Sequence, residues 1–360
     1  LNQKKYLAER LDKIRKLIEE ESIDALVISS TINRRYLSGF RGTAGVLLIS
    51  AEKALLITDF RYVSQAEVQA PHFEVIRWQD DLYKSIAPLI EDNGWNKLGF
   101  EAGQVVYSAL EEMKEKLPAE MVPVKETAEK LRIIKDVDEI AIMRIGAGVL
   151  DRAFTMISNM AKPGITEREL ALELEMFLLK EGAEEKSFRF IVASGQRGAL
   201  PHGMATEKEL QDGEMVTIDF GGIFDGYATD MTRTIALGKI SEQQKQIYDI
   251  VYKAQHEAAA AVKPGLPVNE VDAVARNIIK DAGYGEYFGH GLGHGVGLEV
   301  HEQPTLNHLK TTELEPGMVV TIEPGIYIPS QGGVRIEDMV VVTKKGGESL
   351  TKSPRELINL

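Results

Sequence analysis

Two pairs of acidic residues and a run of glycines and histidines, all in the C-terminal half of the chain, have the types and spacing to hold metal ions. Within Met215–Ile235, the dipeptide Asp225-Gly226 marks a two-residue hairpin turn. That turn sets Asp219 opposite Thr232. Asp230, two residues from Thr232, then shares a face with Asp219. The strands around them are otherwise rich in Val, Ile and Phe, so two carboxylates crowded there repel each other and resist burial. A divalent cation between them removes both penalties. A second hairpin, built from Val319–Gly325 and Gly333–Met339 around a turn centred near Ser330, puts Glu323 directly opposite Glu337.

Between the hairpins, Phe288–Glu302 alternates glycine with larger residues, which strips side chains from one face and lets the backbone approach a neighbour closely. Four of the seven histidines lie between His290 and His308. One imidazole with four carboxylates is a borderline-hard ligand set, suited to Mn, Co or Zn rather than copper or an iron–sulfur cluster. Each residue alone has an ordinary structural use: a strand Asp beside Gly turns the chain, a His in a glycine loop faces water, and Glu323 before Pro324 ends a strand. The conjunction has no common structural purpose. It fits hydrolases that use two cations roughly 3.5–4 Å apart to clamp a nucleophile.

The elements that must position these groups follow from periodicity and punctuation. Asp24–Ser30, Ala44–Ser50, Ala54–Thr58 and Leu98–Glu101 are short apolar runs that predict strands, and Ala109–Lys116 predicts a helix. This alternation predicts a small α/β domain over residues 1–125 and a second, α+β domain over residues 126–360. The second domain opens with a long helical stretch from Glu126 to Met160, stopped by Lys162-Pro163-Gly164. Thr166 to Glu169 has the capping-box pattern that starts a further helix. Another helix spans Ser241–Val262, up to a second Lys-Pro-Gly, and a last one begins near Asn269. Helix then hairpin therefore occurs twice, a pseudo-repeat of structure rather than of sequence.

Composition bounds the classes. A chain of 360 residues with 44% hydrophobic and 27% charged residues suits two globular domains. A net charge of −13 argues against a nucleic-acid partner. No run approaches the roughly 20 apolar residues of a membrane span. Leu1–Glu20 lacks the apolar core of a secretory signal and predicts an amphipathic helix, with Leu7, Leu11, Ile14, Leu17 and Ile18 on one side. The chain has no cysteine, which removes disulfides and thiolate sites and fits a reducing cytoplasm.

At these residues the sequence resembles the pita-bread metallopeptidases, in the Xaa-Pro branch that contains prolidase and aminopeptidase P. The resemblance rests on Ile191–Gly195, Ala199–Gly203, Val216–Gly222, Ala228–Thr234, Gly289–Glu302, Thr321–Gly325 and Gly333–Asp338. It extends to a creatinase-like N-terminal domain at Tyr36–Phe40 and Thr58–Tyr62. It implies a C-terminal domain with a curved antiparallel sheet and flanking helices. It also implies two divalent metal ions, Mn first and Co or Zn next, held by Asp219, Asp230, His294, Glu323 and Glu337, with Asp230 and Glu337 bridging. Glu323 would shuttle a proton, His202 and His301 would hydrogen-bond the scissile amide, and Arg335 would orient site carboxylates or grip a substrate carboxylate. His290 would hold the loop of His294.

The expected activity is hydrolysis of the bond before proline in dipeptides, with longer peptides as the alternative. A methionine aminopeptidase, a metal-free creatinase-like hydrolase and an inactive binding protein on the same fold are the competing readings. The Arg- and aromatic-rich segment Asn33–Arg41 motivates a homodimer.

Overall fold

The computed structural model describes residues 3–360, and the chain divides into two compact units, Leu1–Arg132 and Ile133–Leu360. The first unit runs α1 (Gln3–Glu20), β1 (Ala25–Ile28), α2 (Thr31–Ser38), β2 (Val46–Ser50), β3 (Ala54–Thr58), α3 (Val63–Gln69), β4 (Glu74–Arg77), α4 (Leu82–Asn93), β5 (Lys97–Glu101), α5 (Tyr107–Lys116), β6 (Glu120–Val124) and α6 (Glu129–Arg132). Its six strands form one sheet in the order β4-β3-β2-β1-β5-β6. The four apolar runs read from the sequence are strands of this sheet, and β1, β2 and β3 are buried almost throughout because both faces are covered. On α1, Leu7, Leu11, Ile14 and Ile18 are buried as their spacing predicts, while Leu17 is half-buried.

The second unit runs α7 (Val137–Met160), α8 (Glu167–Lys180), β7 (Glu185–Lys186), β8 (Ile191–Ser194), β9 (Met215–Phe220), β10 (Gly222–Phe224), β11 (Tyr227–Ala228), β12 (Met231–Ala236), α9 (Glu242–Ala261), α10 (Val268–Asp281), β13 (Gly293–Gly295), β14 (Glu302–Leu306), β15 (Val319–Ile322), β16 (Gly325–Ile328), β17 (Gly332–Arg335), β18 (Asp338–Thr343) and β19 (Gly346–Ser349). Two short 3₁₀ turns, Gly195–Ala199 and Gly285–Tyr287, complete it. Helices α7 and α8 pack on β8, β9 and β12 through Leu150, Phe154, Leu170, Leu174, Val216 and Ile218. Helices α9 and α10 pack on β15–β18 through Val251, Ala258, Val271, Ile279, Val320 and Val340. The helix-then-hairpin order thus becomes two helix pairs, each covering one hairpin. Each fully buried Leu or Val contributes about 1.5–3 kcal/mol.

The helical stretch expected from Glu126 to Met160, a connecting element and the first helix of the second domain, contains α6 and α7 with a break between them. The chain breaks at Ile133–Asp136, and Asp136 starts α7 with a capping box, accepting from the Asp138 and Glu139 amides at 2.9 Å each. Thr166 and Glu169 cap α8 in the same reciprocal way. At the first hairpin, Asp225 and Gly226 take φ of 45° and 78°, the pair of positive values that a two-residue turn of this kind demands.

Candidate metal centre

The acidic residues sit where the strand ladders stop. β9 pairs with β12 so that Asp219 lies opposite Thr232, as the turn position requires. Asp230 is the residue before β12. In the second hairpin, Ile322 pairs with Asp338 and Gly325 with Arg335, so Glu323 and Glu337 face each other in the gap between the two ladder segments. The hairpins are joined there: the Glu337 amide donates to the Thr232 carbonyl at 3.0 Å, and the Thr234 hydroxyl to the Arg335 carbonyl at 2.9 Å. Three of the four carboxylates, Asp230, Glu323 and Glu337, therefore come from irregular backbone braced by regular strands, and Asp219 comes from β9 itself.

His294 is delivered by β13. A Cβ on its neighbour Gly293 would lie 2.0 Å from the Thr321 carbonyl oxygen, so only glycine permits this strand to run against β15. The His294 amide donates to Thr321 Oγ1 at 3.0 Å, and its Nδ1–H donates to the Gly295 carbonyl at 3.1 Å. That hydrogen bond fixes the tautomer and turns Nε2 toward the acids. Nε2 lies 3.3 Å from Glu323 Oε1 and 3.7 Å from Asp230 Oδ2. One donor atom from each of Asp230, His294 and Glu337 falls within 4.8 Å of the others.

Arg335 fastens the opposite side. Its Nη2 donates to Asp219 Oδ2 at 2.6 Å, its Nε to Thr232 Oγ1 at 3.1 Å, and its Nη1 to the Tyr327 hydroxyl at 3.0 Å and the Pro201 carbonyl at 3.2 Å. Thr232 in turn donates to Glu337 Oε2 at 2.6 Å, and Thr321 to Glu323 Oε1 at 3.1 Å. His290 Nε2 meets the Tyr327 hydroxyl at 2.9 Å. His301 sits edge-on to His294, with ring centroids 4.3 Å apart. His202 lies on an exposed loop, close enough to His301 for its charge to disfavour the His301 imidazolium.

The electrostatics are those of acids placed together for a cation. Burial, then the neighbouring carboxylates, pushes Asp230 and Glu337 well above the usual carboxylate range. Burial also raises Asp219, against the pull of Arg335. For Glu323, burial is outweighed by the hydrogen bond and charge of His294, so its carboxyl is lowered; for His294, burial is likewise outweighed by Glu323, and the imidazole is raised. Burial and His294 lower His301, and burial lowers His290. Asp219 Oδ1, Asp230 Oδ1 and Glu337 Oε1 are buried, and no group among the described residues donates to them. Three orphaned carboxyl oxygens beside an oriented imidazole fit hard or borderline divalent cations.

Residues 141–344 match the model of metallopeptidase family M24, and residues 10–134 match that of the creatinase/prolidase N-terminal domain. The chain belongs to metallopeptidase family M24. This M24 peptidase is 42% identical to an Xaa-Pro dipeptidase of Pyrococcus horikoshii, over 97% of this chain and 99% of that one. Its structure resembles that of an Xaa-Pro dipeptidase from Bacillus anthracis, with a TM-score of 0.97, 47% identity, and coverage of 98% and 100%. It also resembles an X-Pro aminopeptidase from Thermotoga maritima, with a TM-score of 0.91, 36% identity, and coverage of 97% and 100%. The expected creatinase-like N-terminal domain and pita-bread C-terminal domain are thus the architecture of this M24 peptidase, and divalent metal belongs to its chemistry.

Sequence reasoning passed over Thr232, Thr321 and Tyr327 as site residues. Thr232 and Thr321 could have been found, since each lies on the same strand face as an acid two residues away, Asp230 and Glu323. Tyr327 gives a weaker signal: it pairs with Gly333, diagonal to Arg335 across the hairpin. Of the segment Asn33–Arg41, the structure buries Asn33, Arg34, Tyr36, Leu37, Ser38 and Phe40, and leaves Arg41 exposed.

Proposed function

We propose that this chain is an Xaa-Pro dipeptidase that works with two divalent cations, Mn first and Co or Zn next. The orphaned oxygens of Asp219, Asp230 and Glu337 around the oriented His294 carry the metal reading. The Xaa-Pro specificity of the similar proteins carries the substrate. Asp219, Asp230, His294, Glu323 and Glu337 would hold the ions. When bound, the cations supply Lewis acidity at the scissile carbonyl and water acidified enough to ionise near neutral pH.

The chain's own groups do the rest. Glu323, held ionised by His294, takes a proton at its carboxylate and returns it to the departing amine. His301, held neutral, and His202 hydrogen-bond the scissile amide as it becomes tetrahedral. Arg335 spends its donors on Asp219, Thr232, Tyr327 and Pro201, which supports a role in orienting carboxylates.

The deciding experiment strips the protein of metal, reconstitutes it with Mn, Co or Zn, and compares turnover of Ala-Pro with Ala-Pro-Ala. Preference for the dipeptide is expected. Preference for the tripeptide would favour the aminopeptidase, a reading the likeness to the Thermotoga maritima enzyme also supports. Full activity in the stripped protein would overturn the metal role, and no activity with any ion would leave the fold as a binding module.

The cysteine-free composition supports a cytoplasmic site of action. Among the described residues no helix is long and apolar enough to cross a membrane. A homodimer is also proposed, with Arg41 as the exposed end of the segment that motivated it; a monomeric mass by light scattering would count against it.

A further inference from the structure

We infer that Glu167 is a positioning residue for His202, because its carboxylate ties together the two ends of the loop that presents that imidazole. The inference rests on the reading of His202 as a substrate-contacting group. Glu167 is the first residue of α8, and its side chain is fully buried. Oε1 accepts from the Ser194 amide and hydroxyl, both at 2.9 Å. Oε2 accepts from the Thr206 amide at 3.1 Å, from the Thr206 hydroxyl at 2.8 Å, and from Arg197 Nη1. Ser194 ends β8 and Thr206 follows the loop, so a single side chain closes the base on which His202 stands.

The loop between those ends is wound on the same knot. Arg197 Nη2 reaches across to the Met204 carbonyl at 2.7 Å. The Leu200 amide donates to the Arg197 carbonyl at 2.9 Å and the Gly203 amide to the Leu200 carbonyl at 3.0 Å. On the far flank, a Cβ on Gly333 would lie 2.3 Å from the Gly198 carbonyl oxygen, so the loop is seated directly on β17. From β17, Arg335 holds the Pro201 carbonyl, one residue before His202, and Asp219 within the metal centre. His202 is therefore held between Glu167 on one side and the strand of Arg335 on the other.

A buried carboxylate is a costly way to stabilise a helix start. An apolar residue of similar volume often does as well or better, whereas removing one partner of a buried pair is strongly destabilising. Burial raises the Glu167 carboxyl, but Arg197 and the Ser194 and Thr206 donors more than offset it. Five donors converging from Ser194, Arg197 and Thr206 specify one loop geometry, which is what a histidine needing fixed aim requires.

The test is a double-mutant cycle on metal-reconstituted enzyme with Ala-Pro, comparing wild type, Glu167→Gln, His202→Ala and the double variant. Glu167→Gln should lower kcat/KM about 10- to 100-fold, mostly in kcat. In the His202→Ala background the same change should cost less than about twofold, because the group it positions is gone. A purely structural Glu167 gives the same factor in both backgrounds, and that result, or undiminished Glu167→Gln turnover, overturns the inference. Wild-type activity in His202→Ala would instead sink the reading of His202 itself. Should Glu167→Gln not fold, Thr206→Val, which removes one donor, runs through the same cycle with an effect of about threefold.

Discussion

Glu337 and Asp338 follow one another in the chain, Glu337 just before β18 and Asp338 its first residue, and they point opposite ways, the first toward the candidate metal centre and the second toward α9. Both are buried, at 2% and 0% exposure, so burial does not separate them. Their partners do. Asp338 accepts from Arg233 Nη2 at 2.7 Å, Thr351 Oγ1 at 2.6 Å, Gln255 Nε2 at 2.7 Å and Arg355 Nε. Against its burial, Arg233 and Arg355 bring its carboxyl below the ordinary range. Among the described residues Glu337 has a side-chain donor only on Oε2, from Thr232, and its carboxyl is driven well above that range by burial and then by Glu323 and Asp219. A saturated buried acid is an anchor; an unsaturated one is a ligand waiting for charge. The two are linked, since Arg233 Nη1 also donates to the Glu337 carbonyl at 2.5 Å, so the anchored side sets the backbone of the other.

The sharpest way to break this contrast is to remove one acid of each kind. Asp230→Asn should lower turnover about 10³-fold, since in the proposed site its carboxylate would hold divalent metal worth several kcal/mol of charge stabilisation. It should also raise the Tm of the metal-free protein by about 2–4 °C per kcal/mol of relieved repulsion. Asp338→Asn should do the reverse to the fold. It strands Arg233 and Arg355 and should cost about 3–5 kcal/mol, visible as a shifted denaturant midpoint and a fall in Tm. If both variants destabilised the metal-free protein equally, the distinction between anchor and ligand would fail.

The pH dependence of stability should also divide the two sets. For Asp230 and Glu337 the folded pKa is raised, so the metal-free fold binds more protons than the unfolded chain. Its stability therefore falls as pH climbs from the unfolded carboxylate value, about 4, toward the raised folded one. For Asp338 and Glu167 the folded pKa is lowered, so their contribution is present above about 4 and is lost as pH drops through the folded value. Metal competes with protons at the first set only. The gain in Tm on adding Mn should thus grow from pH 5 to pH 8, and a gain independent of pH would contradict the assignment.

How much of this was legible before the fold depends on whether the cause was local. The registers that set Asp219 opposite Thr232 and Glu323 opposite Glu337 follow from two turns, the dipeptide Asp225-Gly226 and the one centred near Ser330, and a side-chain period of two, so spacing alone reaches them. The start of α8 was legible for the same reason, through Thr166 and Glu169. The break before α7 had its own local signal, Asp136 with Glu139 three residues on, but the apolar spacing across it imitated a continuous helix. What no spacing contains is the choice of partner. Nothing local says that Asp338 meets Arg233 and Arg355 while Glu337, among the described residues, meets one threonine, because those donors come from β12 and the C-terminal segment.

That dependence on partners makes Thr232→Val the finest probe of the contrast and the one with the smallest expected effect. The Thr232 hydroxyl donates to Glu337 and accepts from Arg335, so the valine deletes the side-chain donor to Glu337 and loosens the tie to Asp219 without changing the bulk of the strand. The lost hydrogen bond had favoured the ionised form of Glu337, so its carboxyl should rise further. Metal must displace that proton, and the pH at which Mn restores half of the activity should move upward, with affinity at neutral pH weaker by about tenfold. Folding should lose only about 1 kcal/mol. An unmoved pH midpoint would mean that Glu337 does not depend on Thr232 for its charge, and the acid would then belong with the anchors rather than the ligands.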